Sequence, residues 1–236
     1  MVGLVKGVFK IFLANFGIER DGEDFATILL VKLRLRALAD TDLQPSTFCY
    51  GLGDLLSLPQ DQSDRLLDAF VEAGGNFFDS AHCYSFWLPG GNAQSEIGIG
   101  DYVRRRGLKD AVTATKGGHP GAPGYRKVEK HLSPERVRAD IDDSLGRLQC
   151  DTIALYYLHR DDPQIPVNEI IGALNEEVRC GRIKYIGASN WTVARVDEAN
   201  TYARENGLAP FVISQPRWSL AISSSEYDLN APGPIA

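Results

Sequence analysis

Residues 76–84 have the sequence Asn-Phe-Phe-Asp-Ser-Ala-His-Cys-Tyr, and the rest of the chain can be interpreted from them outward. The apolar pair Phe77-Phe78 predicts a short buried strand, which ends at a carboxylate, Asp79. A phenol, Tyr84, follows in the next loop. Loops that follow buried strands often carry the functional groups of α/β proteins. The stretch therefore predicts a strand with a functional site at its carboxyl end.

Two later apolar segments also end in ionisable side chains. Residues 111–116 predict a strand that ends at Lys116, and residues 152–158 predict one that is followed by His159. A carboxylate, a phenol, an ammonium and an imidazole at strand ends are suited to proton donation at one site. Each has a plainer explanation when it is taken singly, such as a turn-forming aspartate, a solvated lysine or a packed tyrosine. Only their occurrence together, at separate strand ends, favours a site.

Strands and helices alternate strictly along the chain, which is typical of a parallel α/β fold. The predicted strands are residues 48–53, 77–79, 111–116, 152–158, 183–188 and 211–214. The predicted helices are residues 61–74, 93–107, 133–148, 167–178 and 192–206. An open doubly wound sheet would carry a glycine-rich turn after an early strand, and none is present. Polar groups after several different strands favour a (β/α)8 TIM barrel instead.

Asp79, Tyr84, Lys116 and His159, in this order, resemble the catalytic tetrad of the aldo-keto reductase family. The resemblance extends from about Leu38 to the C-terminus. It implies an oxidoreductase that reduces aldehydes or ketones by hydride transfer from NADPH, without a metal. Tyr84 would donate the proton, Lys116 would lower the pKa of Tyr84, Asp79 would hold Lys116, and His159 would orient the carbonyl group.

The resemblance also implies a set of cofactor-binding residues. Ser189, Asn190 and Gln215 match residues that hydrogen-bond the nicotinamide carboxamide, which offers both a donor and an acceptor. Trp218 stands where many members stack a tyrosine on the nicotinamide ring, and Trp87 is interpreted as a wall of the substrate pocket. Loops after the last two strands bind the phosphates in the family, and no residue here is assigned to them. NADP(H) is therefore predicted without excluding NAD.

About six strands are predicted, fewer than in a complete barrel. Residues 1–37 do not resemble the family and are interpreted as an unassigned N-terminal extension, and residues 38–236 as a barrel truncated at its C-terminal end. The alternative function is a non-catalytic barrel, either a regulatory or binding subunit or an inactive truncated product. A hydrolase would need paired carboxylates or a metal cluster at the strand ends, and only Asp79 is present there.

Composition narrows the choice of partners and compartment. A net charge of −6 argues against a nucleic-acid or anionic membrane surface. No apolar run approaches the roughly 18 residues of a membrane span. Four scattered cysteines without a CxxC pair favour free thiols in a reducing compartment. We therefore expect a cytoplasmic protein whose partner is a small carbonyl or alcohol substrate, and the oligomeric state stays open.

Overall fold

A computed structural model describes residues 32–53, 55, 58–122, 125–126 and 129–216 of the chain. Strands and helices alternate through these residues, as predicted. Their order is β1 (Tyr50–Gly51), α1 (Gln60–Glu72), β2 (Phe77–Asp79), α2 (Gln94–Arg106), β3 (Val112–Gly117), α3 (Pro134–Leu148), β4 (Ile153–Leu158), α4 (Val167–Arg179), β5 (Ile183–Ser189), α5 (Val193–Glu205) and β6 (Phe211–Gln215). Among the described residues, no helix is both long enough and apolar enough to cross a membrane.

The six strands form one parallel sheet whose spatial order is the order of the chain, from β1 to β6. Each strand returns to its neighbour through a helix, which is the βαβ connection that parallel pairing requires. The sheet is curled as part of a (β/α)8 barrel. The predicted fold class and the predicted number of strands are confirmed for the described part of the chain.

Apolar side chains pack on both faces of the sheet. The larger cluster joins the strands to the helices and includes Leu67 of α1, Ile141 of α3 and Ile170 of α4. The smaller cluster includes Ala114 and Leu155, which are register partners on β3 and β4. Because side chains alternate along a strand, a strand with both faces covered is apolar at nearly every position.

Local sequence explains where two of the helices begin. Ser133 occupies the N-cap of α3, and Pro134 is the first helical residue, where its missing N–H costs nothing. Helix α1 differs from the prediction, because it begins at Gln60 and its N-cap is Pro59. Asp61 therefore lies in the first turn, where a carboxylate favours the helix dipole, and does not cap the helix.

Residues 33–47 pack at the end of the sheet from which the strands begin. Leu35 forms an antiparallel bridge with Ser46. The side chain of Asn76, just before β2, accepts a hydrogen bond from the backbone N–H of Ser46 at 2.7 Å and donates one to the carbonyl oxygen of Gln44 at 3.1 Å. This segment is thereby attached to the amino end of β2, and the residues before Lys32 lie outside the described part.

Close packing of α2 against α3 predicts that Gly100→Ala destabilises the protein, although alanine usually favours a helix. Alanine normally stabilises a helix relative to glycine by about 1 kcal/mol. A Cβ at Gly100, however, would lie 2.4 Å from the backbone oxygen of Leu148. We expect the free energy of unfolding, measured with urea, to fall by about 1–3 kcal/mol because one of the two helices must shift.

Gly146→Ala is the matched control on α3, because a Cβ there meets no atom within 4 Å. This variant should gain about 0.5–1 kcal/mol. If both variants gain stability equally, α2 and α3 are not as close at Gly100 as the structure shows.

Candidate active site

The loop after β2 is fixed to β3 by backbone hydrogen bonds. Ser80 N–H donates to the carbonyl oxygen of Ala114 at 2.9 Å, and His82 N–H donates to that of Lys116 at 2.8 Å. The loop then turns, with Tyr84 N–H donating to the carbonyl oxygen of Ala81 at 3.0 Å. Pairing of the loop with β3 therefore continues past the end of β2 and carries the Tyr84 phenol to the Lys116 side chain.

Lys116 lies at the centre of the site and is 2% exposed. Its Nζ donates to Asp79 Oδ2 at 2.6 Å, to the carbonyl oxygen of Ser80 at 3.0 Å and to the Tyr84 hydroxyl oxygen at 2.9 Å. An ammonium group has three protons to donate, so these acceptors match its capacity. A buried ammonium is tolerated only when it is paired in this way. The structure brings Asp79, Tyr84 and Lys116 into direct contact.

His159 joins this group from the end of β4. Its backbone N–H donates to the carbonyl oxygen of Gly117 at 2.8 Å, which extends the β3–β4 pairing by one residue. The imidazole ring is buried, and its centroid lies 5.8 Å from that of the Tyr84 ring. The four predicted residues, which come from three strand ends, therefore meet at one place.

Burial and charge shift the pKa values of Lys116, Tyr84 and His159. Burial lowers the pKa of Lys116, but Asp79 and Tyr84 together outweigh burial and raise that pKa to about 12. Burial raises the pKa of Tyr84, and the opposing effect of Lys116 is smaller. Lys116 therefore lowers the pKa of Tyr84, as expected, but the net pKa is raised because desolvation of the phenolate dominates. Burial, followed by the charge of Lys116, holds the pKa of His159 well below its ordinary value.

The predicted carboxamide-binding residues lie beside the tetrad. Ser189 and Gln215 are register partners at the ends of β5 and β6. Asn190 follows Ser189 with a φ of 58°, a left-handed conformation that asparagine tolerates, and its Nδ2 donates to Ser189 Oγ at 2.9 Å. Gln215 Nε2 lies 3.4 Å from Asp79 Oδ2, which connects this group to the tetrad. Trp218 lies outside the described residues.

Six aromatic or imidazole rings form a closed circuit of neighbouring pairs at the site, with centroid distances of 5.0–6.3 Å. In order around the circuit they are Tyr84, Trp87, Phe86, Tyr125, His119 and His159. Trp87, which the sequence assigned to the pocket wall, is 49% exposed and lies next to Tyr84. The circuit places an apolar, polarisable surface around the proposed proton donor.

Sequence reasoning missed several residues of the site. His119 contacts His159, with ring centroids 5.0 Å apart, and Cys83 Sγ lies 3.4 Å from His159 Nδ1. His82 Nδ1 lies 2.6 Å from the Tyr125 hydroxyl, which holds the loop bearing Tyr125. The position of His119, two residues after β3, is the one sequence signal that points to the site. Among the described residues, no group of acidic, histidine or cysteine side chains is arranged to hold a metal ion.

Sequence comparison agrees with this fold. Residues 48–229 match the family model described as the aldo/keto reductase family. A probable aryl-alcohol dehydrogenase, AAD4, from Saccharomyces cerevisiae is 34% identical over 184 residues, which cover 73% of this chain and 53% of the relative. Norsolorinic acid reductase B from Aspergillus parasiticus is 35% identical over 179 residues, covering 72% of this chain and 44% of the relative.

A third relative, the aryl-alcohol dehydrogenase [NADP(+)] of Phanerodontia chrysosporium, is 31% identical over 188 residues, covering 76% of this chain and 46% of its own length. The curled parallel sheet and these matches define the class of the protein as an α/β barrel. The chain belongs to the aldo/keto reductase family. It spans about half the length of the curated relatives that it matches.

Burial of His119 predicts a specific pH dependence of stability. Burial, followed by the charge of Arg160, lowers the pKa of His119 from 6.5 to about 4. Between these two pH values His119 is protonated in the unfolded chain and neutral in the folded chain. The free energy of unfolding therefore falls as the pH falls from 6.5 to 4. The loss from this group is about 3 kcal/mol.

His119→Gln removes this titration and should flatten the dependence of the unfolding free energy on pH in that range. Urea unfolding of both proteins at several pH values measures the two slopes. Equal slopes would show that His119 is not buried in its neutral form.

Proposed function

We propose that this chain reduces aldehydes or ketones by hydride transfer from NADPH, with Tyr84 as the proton donor. The observation that carries the proposal is the hydrogen bond of 2.9 Å between Lys116 Nζ and the Tyr84 hydroxyl oxygen. Because an ammonium group can only donate, the Tyr84 oxygen is the acceptor. The hydroxyl proton of Tyr84 is then left to be donated to a carbonyl oxygen.

Each tetrad residue has a separate role in this proposal. Tyr84 keeps its proton at neutral pH, because the pKa of a tyrosine hydroxyl is ordinarily about 10 and burial raises the pKa of Tyr84 further. As the proton leaves, the charged Lys116 stabilises the developing phenolate, and this stabilisation is strong because both groups are withdrawn from water. Asp79 balances the charge of Lys116 and holds Nζ in position. His159, neutral and buried, hydrogen-bonds the carbonyl oxygen and orients it toward Tyr84.

The residues after β5 and β6 fit a nicotinamide carboxamide. Gln215 Oε1 is buried and has no hydrogen-bond partner within the described residues, so it is an available acceptor for the carboxamide N–H. Ser189 and Asn190 lie beside it and complete a set of donors and acceptors. Bound at this place, NADPH would supply the hydride. We further propose that Trp218 stacks on the nicotinamide ring.

The names of the relatives and the composition of the site both support a particular cofactor and substrate class. One relative is named as an NADP(+) enzyme, which supports NADPH, with NADH as the alternative. Two of the three relatives described above are named as aryl-alcohol dehydrogenases. The circuit of rings around Tyr84 fits a planar aromatic substrate, because offset and edge-to-face ring pairs are favourable. We therefore infer that aryl aldehydes and the corresponding alcohols are substrates.

Tyr84→Phe tests the proposed proton donor. The variant keeps the ring but loses the proton, so aldehyde-dependent oxidation of NADPH should fall by about 10²–10⁴-fold, the usual contribution of general acid catalysis. Binding of NADPH, followed by protein fluorescence, should change little because the carboxamide-binding residues are intact. The rate is measured from the oxidation of NADPH in the presence of an aryl aldehyde.

Tyr202→Phe is the control, because it removes the same hydroxyl group from a tyrosine that lies on α5, away from the tetrad. Its rate should equal that of the wild type. Unchanged activity of Tyr84→Phe would remove Tyr84 from the reaction. A folded wild-type chain that binds NADPH without reducing any carbonyl compound would favour the alternative, a non-catalytic binding or regulatory barrel.

Trp87→Ala tests the aromatic pocket wall. Loss of one ring contact should lower kcat/KM for an aryl aldehyde by about two- to tenfold relative to that for a short aliphatic aldehyde. Ile97→Ala truncates another exposed apolar side chain, on the outer helix α2, and should leave the ratio unchanged. Equal losses for both aldehydes in Trp87→Ala would show that the indole does not contact the substrate.

A further inference from the structure

The imidazole of His159 makes one side-chain hydrogen bond among the described residues. Its Nδ1 lies 3.4 Å from Cys83 Sγ, and the two residues are 5% and 3% exposed. The backbone of His159 is held separately, through the carbonyl oxygen of Gly117. Cys83 directly precedes Tyr84, so the loop that carries the proposed proton donor also carries the group that contacts His159.

We propose that Cys83 is a positioning residue for the proposed carbonyl reduction, because its thiol donates to Nδ1 of His159 and keeps the single imidazole proton on Nε2. The consequence for catalysis rests on the proposed function, whereas the tautomer itself is a property of the folded chain. With this tautomer, Nε2–H is the donor that His159 presents to a carbonyl oxygen. With the other tautomer, Nε2 would carry a lone pair and repel that oxygen.

Both partners are held in their neutral forms. Burial, with the charge of Lys116 second, keeps the pKa of His159 well below its ordinary value, so the ring has one donor nitrogen and one acceptor nitrogen. Burial raises the pKa of the Cys83 thiol to about 12, so the sulfur keeps its hydrogen. Only two arrangements then remain, S–H donating to Nδ1 or Nδ1–H donating to sulfur.

Acceptor strength decides between these arrangements. A thiol sulfur is a weak acceptor, whereas a neutral imidazole nitrogen is a good one. The first arrangement uses the better acceptor and leaves Nε2–H free of any hydrogen bond within the described residues. It also excludes a nucleophilic role for Cys83, because nucleophilic attack requires the thiolate. The Cys83 thiol therefore fixes the tautomer of His159 and forms no covalent bond in the reaction.

Nuclear magnetic resonance of the full chain labelled with ¹⁵N-histidine tests the proposal. The chain has four histidines, and the signals of His159 are identified by their loss in His159→Gln. Long-range ¹H–¹⁵N correlations at neutral pH distinguish a protonated ring nitrogen from an unprotonated one. We expect Nε2 of His159 to be protonated and Nδ1 to be the acceptor, in the absence of cofactor and substrate.

Two substitutions establish whether Cys83 is the cause. Cys83→Ala removes the donor and should shift the tautomer ratio of His159 toward Nδ1–H by about three- to tenfold, the effect of one net hydrogen bond. Cys83→Ser keeps a donor hydroxyl group and should preserve the wild-type tautomer. Cys180→Ala, at an exposed cysteine after α4, is the matched control and should change nothing.

Each outcome bears on the proposal. A wild-type His159 protonated on Nδ1, or a tautomer ratio that is the same in Cys83→Ala, would overturn it. If Cys83→Ala does not fold, the wild-type and Cys83→Ser spectra still decide, because both must show Nε2–H. These spectra need no turnover, so an Nε2–H tautomer in a chain that reduces no carbonyl would refute the proposed function and leave the positioning by Cys83 intact.

Discussion

The buried ammonium of Lys116 is the constraint on which the site depends. Removing one partner of a buried ion pair costs about 3–5 kcal/mol, because the remaining charge is left unpaired in the interior. Asp79 and Lys116 must therefore stay together, and the loop that follows Asp79 must take a course that lets Tyr84 reach Nζ. The same contacts that satisfy a charge in the protein interior thereby assemble a proton donor beside a fixed positive charge.

Strand β3 is held from both faces, which is why Lys116 can be placed so closely. Its neighbour Thr115 points to the opposite face and donates to Glu96 Oε1 at 2.6 Å. Glu96 is fully buried and pairs with Arg147 at 3.1 Å, and Arg147 also donates to the carbonyl oxygen of His82, in the loop before Tyr84. The Glu96–Arg147 ion pair on one face of β3 thus supports the Asp79–Lys116 ion pair on the other face.

The sequence was sufficient to predict six alternating strands, and it placed an ionisable residue at or next to the carboxyl end of each of β2, β3 and β4. The structure brings these side chains together. It failed where contacts are distant in sequence. The pairing of Cys83 with His159 spans 76 residues, and the contact between His119 and His159 depends on how the loop after β3 folds back. The net pKa of Tyr84 was also missed, since burial cannot be read from residue spacing. Helix α1 begins at Gln60, one residue before the predicted start, and its N-cap is Pro59.

The most direct test of the account is the rate of aldehyde-dependent NADPH oxidation by the chain and by its Lys116→Met variant. Methionine fills the space of the lysine stem but leaves the Tyr84 phenolate without a neighbouring positive charge. We expect turnover by the wild type and a loss of about 10²-fold or more in the variant, since one preorganised electrostatic contact contributes on this scale. Equal rates in the two proteins, or no turnover by a folded wild-type chain, would contradict it.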